Sequence, residues 1–384
     1  MHQVKIGWFG DSQLDYAQYG LTRRRDDFIA ALDRALQDMH GQGVSTVVHT
    51  GDFLQSNRPS PFCMKALQVI QHWLEDRNMV VLVVSGNHDN ARPHWLDVVN
   101  GGSPLGFQLL DYKLESRQGI TFQGVPNVSR DTFLKTQFVA ADILVMHQAI
   151  TQFIDYPSTN AINVAELPLD KYQVIAIGDT HIYKVDQAQT FIAENPPPCK
   201  CLVGSSGATE LNSESEQDDK YWVELIFQAN DGAGYKLTGH RPHQIQTRPI
   251  LRIQIEDASQ LNSLVDDTKR KVEGLRIVDI REPIIFIRYN SLVPDVIERF
   301  RKNFDPDKFI LRLHPLFRTA GEKALVSSSV DETISITELL QAQVPPDSNL
   351  YALASQLFNP DLEMEHVNAA IDHYVEERLQ TTTN

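Results

Sequence analysis

Cysteine is scarce, with 3 in 384 residues. Cys63, Cys199 and Cys201 cannot build a disulfide framework. Cys199 and Cys201 stand one residue apart, but no second Cys or His pair lies at ligand spacing, so no structural zinc site is expected. Free thiols suit a reducing, cytoplasmic compartment. Long apolar runs are also missing: nothing approaches the roughly 18 residues of a membrane span. Met1-His2-Gln3-Val4-Lys5 leads into a strand-like run, so no signal peptide is expected. Positive charge is in short supply, with 35 Lys and Arg against 50 Asp and Glu and a formal net charge of −15. That balance argues against a stand-alone protein that grips nucleic acid by bulk charge. Anions would have to be met locally, by clusters such as Arg23-Arg24-Arg25 or by bound divalent cations. No Ser-His-Asp arrangement with elbow glycines and no Walker-type loop is present, which removes a serine hydrolase and an intrinsic ATPase from consideration.

What is present is an α/β alternation. Apolar runs at Val4–Phe9, Ser45–His49, Val80–Ser85, Ile143–His147 and Val174–Gly178 read as buried strands. Between the first two, Phe28, Ile29, Leu32, Leu36 and Met39 recur at helical spacing, as do Met64, Leu67, Ile70, Trp73 and Leu74 before the third. A strand at Tyr221–Phe227 is expected to complete a second sheet. The length suggests two or three units: residues 1–243, a small α+β unit over 244–316, and a linker with C-terminal helices over 317–384. In the last of these, Met364, Val367, Ile371, Tyr374 and Val375 form one apolar stripe. The small unit reads as strand 250–255, helix 261–272, strand 283–289, helix 293–304 and strand 309–313.

The polar residues fall in a pattern. Asp11, Asp52, Asn87-His88-Asp89, His147 and Asp179 with His181 each sit just past a strand's carboxyl end, where open α/β sheets place ligands. Gly51-Asp52 lets the chain turn so that a carboxylate points inward. Gly86-Asn87-His88-Asp89 puts an oxygen donor, an imidazole and a second carboxylate on one tight turn. With His147 and Gly178-Asp179-Thr180-His181, these make a set of N and O donors large enough for two divalent ions.

On these motifs the sequence resembles the calcineurin-like metallophosphoesterases, and within them the SbcD-type DNA-repair nucleases. Tyr19-Gly20-Leu21 ahead of a charged helix and Gly204-Ser205-Ser206 after the last histidine fit that subgroup. The resemblance implies a layered β-sandwich flanked by helices, with a small α+β cap and C-terminal helices. It implies two Mn²⁺ or Mg²⁺ ions bridged by Asp52. Asp11, Gln13 and His181 would complete one site, and Asn87, His147 and Asp179 the other. His88 would act at the scissile phosphate, with Asp89 holding its ring. The family usually has His where this chain has Gln13 and Asp179, so this site is richer in oxygen, which suits Mn²⁺ and Mg²⁺ better than Zn²⁺.

The implied activity is phosphodiester hydrolysis of DNA by a two-metal-activated hydroxide, in repair or recombination. Tyr19, Arg23, Arg24 and Arg25 are the candidate DNA contacts. The implied partners are an SbcC-like SMC-family ATPase on the C-terminal helices and a second copy of the chain, through helices near 62–75 and just after Asp89. Two other readings stand beside this one. The chain could be a phosphodiesterase for small nucleotides or phosphoproteins, or a metal-deficient structural subunit.

Overall fold

Strands buried on both faces are built from Val, Ile and Leu with little else. In the computed structural model, which describes residues 2–193, 199–216, 218–230, 234–275, 281–290, 295–305 and 307–316, such runs form the inner strands of two six-stranded sheets. In chain order the elements are β1 (Gln3–Phe9), α1 (Thr22–Gly41), β2 (Thr46–His49), α2 (Pro61–Asp76), β3 (Val80–Val83), α3 (Trp95–Asn100), β4 (Gly106–Leu109), β5 (Leu114–Arg117), β6 (Ile120–Val125), α4 (Arg130–Leu134) and β7 (Ile143–His147). There follow β8 (Val174–Gly178), β9 (Lys184–Gln187), β10 (Leu202–Ser205), β11 (Lys220–Ala229), β12 (Tyr235–Ile245), β13 (Ile250–Ile255), α5 (Leu261–Leu275), β14 (Ile284–Asn290), α6 (Val296–Asn303) and β15 (Ile310–Leu316).

The first sheet has the order β12-β11-β1-β2-β3-β4 and the second β5-β6-β7-β8-β10-β9. β1 to β4 run parallel, as do β6, β7, β8 and β10. Side chains alternate along each strand. Ile6, Trp8, Val48, Val80 and Leu82 therefore meet Ile120, Phe122, Val145, Val174 and Leu202 in the core between the sheets. Val47, Val81 and Val83 face the other way, onto Phe28, Leu32 and Leu36 of α1 and Leu67 and Leu74 of α2. The helical stripes expected from spacing are this packing face, although Ile29, Met64 and Trp73 are only partly covered.

The strand at Tyr221–Phe227 does not complete the second sheet. β11 pairs antiparallel with β1, setting Phe227, Leu225 and Val223 opposite Val4, Ile6 and Trp8. Opposed residues share a face, so this register carries all six into the inter-sheet core. β12 is an eleven-residue strand that runs through position 243 to Ile245.

Beyond it, β13, β14 and β15 form a third, wholly parallel sheet with α5 and α6 as crossovers. One face packs on these helices through Ile253, Ile255, Ile285, Val265 and Phe300. The other, carrying Ile284, Phe286 and Ile310, packs on Leu211, Tyr19 and Leu21. Residues 1–317 accordingly cluster as one compact unit.

That packing encloses one member of the arginine run. Arg24 is fully enclosed, donating to Gln18, to Asp27 at 2.7 Å and to the Leu211 carbonyl at 3.0 Å. Arg23 donates to the Asp307 and Phe309 carbonyls of the small sheet's edge. Arg25 lies 3.5 Å from Asp15, and Tyr19 meets Phe286 edge to face and lies beneath Arg312. Arg23 and Tyr19 thus reach the small sheet, Arg24 is spent inside the fold, and Arg25 stays half-exposed beside Asp15. The expected C-terminal helices, with the stripe from Met364 to Val375, fall outside the described residues. Among the described residues no helix is long and apolar enough to cross a membrane.

Candidate metal centre

Parallel strands deliver their carboxyl ends to one edge of a sheet, and two stacked sheets bring two such edges together. Asp11 and Gln13 follow β1, Asp52 follows β2, Asn87 and His88 follow β3, His147 ends β7, and Asp179 and His181 follow β8. Asp11, Gln13, Asp52 and Asp179 all have positive φ, at 48°, 41°, 52° and 74°. Side chains other than glycine rarely hold that conformation, and its clustering at one locus marks strain stored at a working site. Backbone bonds fix it: Asp11 N donates to the Gly51 carbonyl at 3.1 Å and Gln13 N to the Asp52 carbonyl at 2.9 Å.

Glycine is required where the turns crowd the ligands. A Cβ on Gly51, whose φ is 98°, would stand 2.4 Å from His147 Nδ1, and one on Gly86 would stand 1.9 Å from Asp52 Oδ1. Asp52 Oδ1 accepts from the His88 amide at 3.0 Å, so the Asn-His turn is docked on the second motif.

The candidate ligands converge in two sets. Asp11, Asp52 and His147, all buried, present donor atoms within 4.8 Å of one another. Around His147 Nε2 lie Asn87 Oδ1 at 3.1 Å and carboxylate oxygens of Asp52 and Asp179 at 3.6 Å each. On the other side, His181 Nε2 lies 3.9 Å from Asp11 Oδ1 and 3.2 Å from the Gln13 amide. As placed, the amide nitrogen faces the ring. Turned end for end, the amide presents Oε1, the orientation a cation shared with His181 would select.

Each imidazole is oriented through its far nitrogen. His147 Nδ1–H donates to the Thr50 carbonyl at 2.8 Å, which turns Nε2 inward. His181 Nδ1–H donates to Glu216 Oε1 at 2.7 Å. His88 Nδ1–H donates to the Gln55 carbonyl at 2.9 Å, and its side chain is 37% exposed with Nε2 3.9 Å from Asp52. Asp89 does not hold that ring. Its carboxylate accepts from the backbone amides of Phe53 and Leu54 and from that of Gly86 at 2.7 Å. It is a staple between the two turns, a role that its place beside His88 conceals in the sequence.

Among the described residues, the cationic partners within 4 Å of Asp11, Asp52 and Asp179 are imidazoles alone. Burial pushes the Asp11 carboxyl up to about 7 against the pull of His147 and His181. Burial opposes charge on His147 too, yet Asp52, Asp179 and Asp11 lift it to about 10. Asp11 Oδ2 is buried with no hydrogen-bond partner. An orphaned carboxylate oxygen among carboxylates and imidazole nitrogens is what a divalent cation satisfies, taking the place of the proton that the carboxylates hold on His147, and the donor set fits one.

Glu216, Thr50 and Gln55 escape a reading of the sequence. Two act through backbone carbonyls, which have no residue signature. Glu216 lies 35 residues from His181 in a featureless polar stretch. Burial would raise its carboxyl, but His181 and Lys220 hold it below the usual value.

Comparison with known proteins agrees with this geometry. Residues 22–209 match the calcineurin-like phosphoesterase superfamily domain. Relatives named DNA double-strand break repair protein Mre11 include that of Haloferax volcanii, 26% identical over 76% of this chain and 63% of its own length. That of Thermoplasma acidophilum is 24% identical over 71% and 72%, and that of Methanocaldococcus jannaschii 21% over 95% and 96%. The chain thus spans less than two thirds of the Haloferax relative. The stretch that carries Asp52, Asn87, His88, His147, Asp179 and His181 is thus similar to the calcineurin-like phosphoesterase superfamily domain.

Proposed function

We propose that the chain is a metal-dependent DNA nuclease of the double-strand-break repair type. The observation that carries this reading is the buried convergence of Asp11, Asp52 and His147 beneath the Asn87-His88 turn, in a chain whose relatives are named for break repair. When bound, two divalent cations supply the positive charge that neutralises a phosphodiester and acidifies water for in-line attack.

The chain's own residues do the rest. Asp11, Gln13, Asp52 and His181 would hold one ion, with Asp52, Asn87, His147 and Asp179 on the other. His88 stands at the mouth with its Nδ1–H committed to Gln55. Its Nε2 is then the atom that meets charge on the leaving sugar oxygen or delivers a proton to it. Oxygen at positions 13 and 179 favours Mn²⁺ or Mg²⁺.

The test is to incubate the chain with labelled single- and double-stranded DNA, and in parallel with bis-p-nitrophenyl phosphate, across Mn²⁺, Mg²⁺ and Zn²⁺. Cleavage of DNA with Mn²⁺, falling roughly 10²- to 10⁴-fold in His88→Ala, supports the reading. Hydrolysis of the small diester without DNA cleavage sinks the substrate, and best activity with Zn²⁺ sinks the metal preference.

Two partners complete the proposal. A second copy fits the face where Phe62 and Val69 of α2 and Val98 of α3 are 51%, 63% and 51% exposed. Light scattering that finds the same mass for Val69→Glu and wild type would remove it. An SbcC-like SMC-family ATPase is proposed for residues 345–384, and its retention by a chain lacking them would refute that assignment.

A further inference from the structure

Three imidazoles serve the site, and they are held in two different ways. His147 and His88 donate to backbone carbonyls at 50 and 55, which belong to the turn after β2. His181 is held by a side chain, Glu216. The second oxygen of Glu216 accepts from Lys220 Nζ at 2.6 Å and from the Asn212 amide at 3.0 Å. Lys220 is 2% exposed, and its ammonium also donates to the His181 carbonyl at 3.3 Å. The carboxylate is therefore built into place.

The loop that carries it is fastened to the small sheet. Arg252 of β13 pairs with Asp218 and donates to the Glu214 carbonyl at 2.9 Å. Arg288 of β14 donates to Glu214 Oε1 at 3.0 Å. A cleft of about 660 Å³, lined by Glu214, Glu216, Arg252, Phe286 and Arg288, lies beside these contacts.

We propose that Glu216 is a positioning residue for His181, and that the small sheet sets it by gripping this loop through Arg252 and Arg288. The inference rests on reading His181 as a metal ligand. Donation from Nδ1–H to a carboxylate fixes the tautomer whose lone pair is on Nε2 and raises that nitrogen's basicity. Because the carboxylate rides on a loop tied to a separate sheet, displacement of that sheet loosens one ion's site and leaves the other, held by strand ends, intact.

The experiment measures Mn²⁺ uptake by equilibrium dialysis in the full chain, beside hydrolysis of bis-p-nitrophenyl phosphate. Wild type is expected to show two classes of ion. Glu216→Ala weakens one of them about 10- to 100-fold and leaves the other unchanged, and its hydrolysis recovers as Mn²⁺ is raised. Glu216→Gln, which keeps an acceptor for Nδ1–H, loses less. The double variant Arg252→Ala/Arg288→Ala, at two partly exposed side chains, shows the same selective loss and carries the test if Glu216→Ala does not fold. Wild-type affinity for both ions in a folded Glu216 variant overturns the positioning role, and unchanged binding in the arginine variant overturns the link to the small sheet. If the wild-type chain takes up no Mn²⁺, the metal-dependent reading falls together with this one. Uptake by wild type that no variant alters removes only the inference.

Discussion

At residue scale the site depends on atoms that are not there. Gly86 has no side chain, and a methyl at its Cα would meet Asp52 Oδ1 at 1.9 Å and the Asp52 amide at 2.3 Å. Backbone cannot step aside as a flexible side chain can. Gly86→Ala is therefore expected to cost about 1–3 kcal/mol in a urea melt and to abolish Mn²⁺ uptake. A variant with wild-type uptake would show that the Asn-His turn need not dock on Asp52. His49 gives a prediction in pH. Its Nδ1 accepts from the Gly51 amide and its Nε2–H donates to Ser12, while burial, with His147 nearby, holds the ring well below its usual value. The unfolded chain takes up a proton near pH 6.5 that the folded chain refuses. The stability tied to a neutral His49 is thus complete above pH 6.5 and drains away as pH falls below it. In EDTA, stability measured from pH 7 to 5 should fall less steeply for His49→Asn than for wild type. Parallel slopes would refute the assignment.

At the scale of elements, the inner strands were plain in the sequence because burial on both faces leaves unbroken apolar runs at β2, β3, β7 and β8. The ligand motifs were plain because each follows such a run. The edge strands were not: β12 exposes alternate residues along its first half, and β9 is four residues long with none of them buried. Nor can composition distinguish an enclosed arginine from a solvated one. Arg24 sits among Asp27, Glu210 and Gln18, and Asp27 also pairs with Arg248 at 2.6 Å. Removing one member of such a network strands its partners' charges. Arg24→Ala is expected to destabilise the fold by about 3–5 kcal/mol while leaving the salt dependence of DNA binding unchanged. If stability held and the salt slope fell by about one, the run would be a phosphate contact after all.

For the whole molecule, the formal charge of −15 includes three carboxylates gathered where two sheets end. Cations that bind only the folded chain stabilise it by mass action. Mn²⁺ at a hundred times its dissociation constant should add about 2.7 kcal/mol, read as a rise in melting temperature that EDTA reverses. No shift on adding Mn²⁺ would mean that the centre does not hold the ion.

The four left-handed residues also limit what laboratory evolution can do here. At Asp11, Gln13, Asp52 and Asp179 the backbone accepts short polar side chains and glycine far more readily than branched ones, so most random substitutions fail there before any metal is offered. Asn87, His147 and His181 are not among the positive-φ positions. A library aimed at a different ion preference will find its viable members at those three positions, and should be randomised there first.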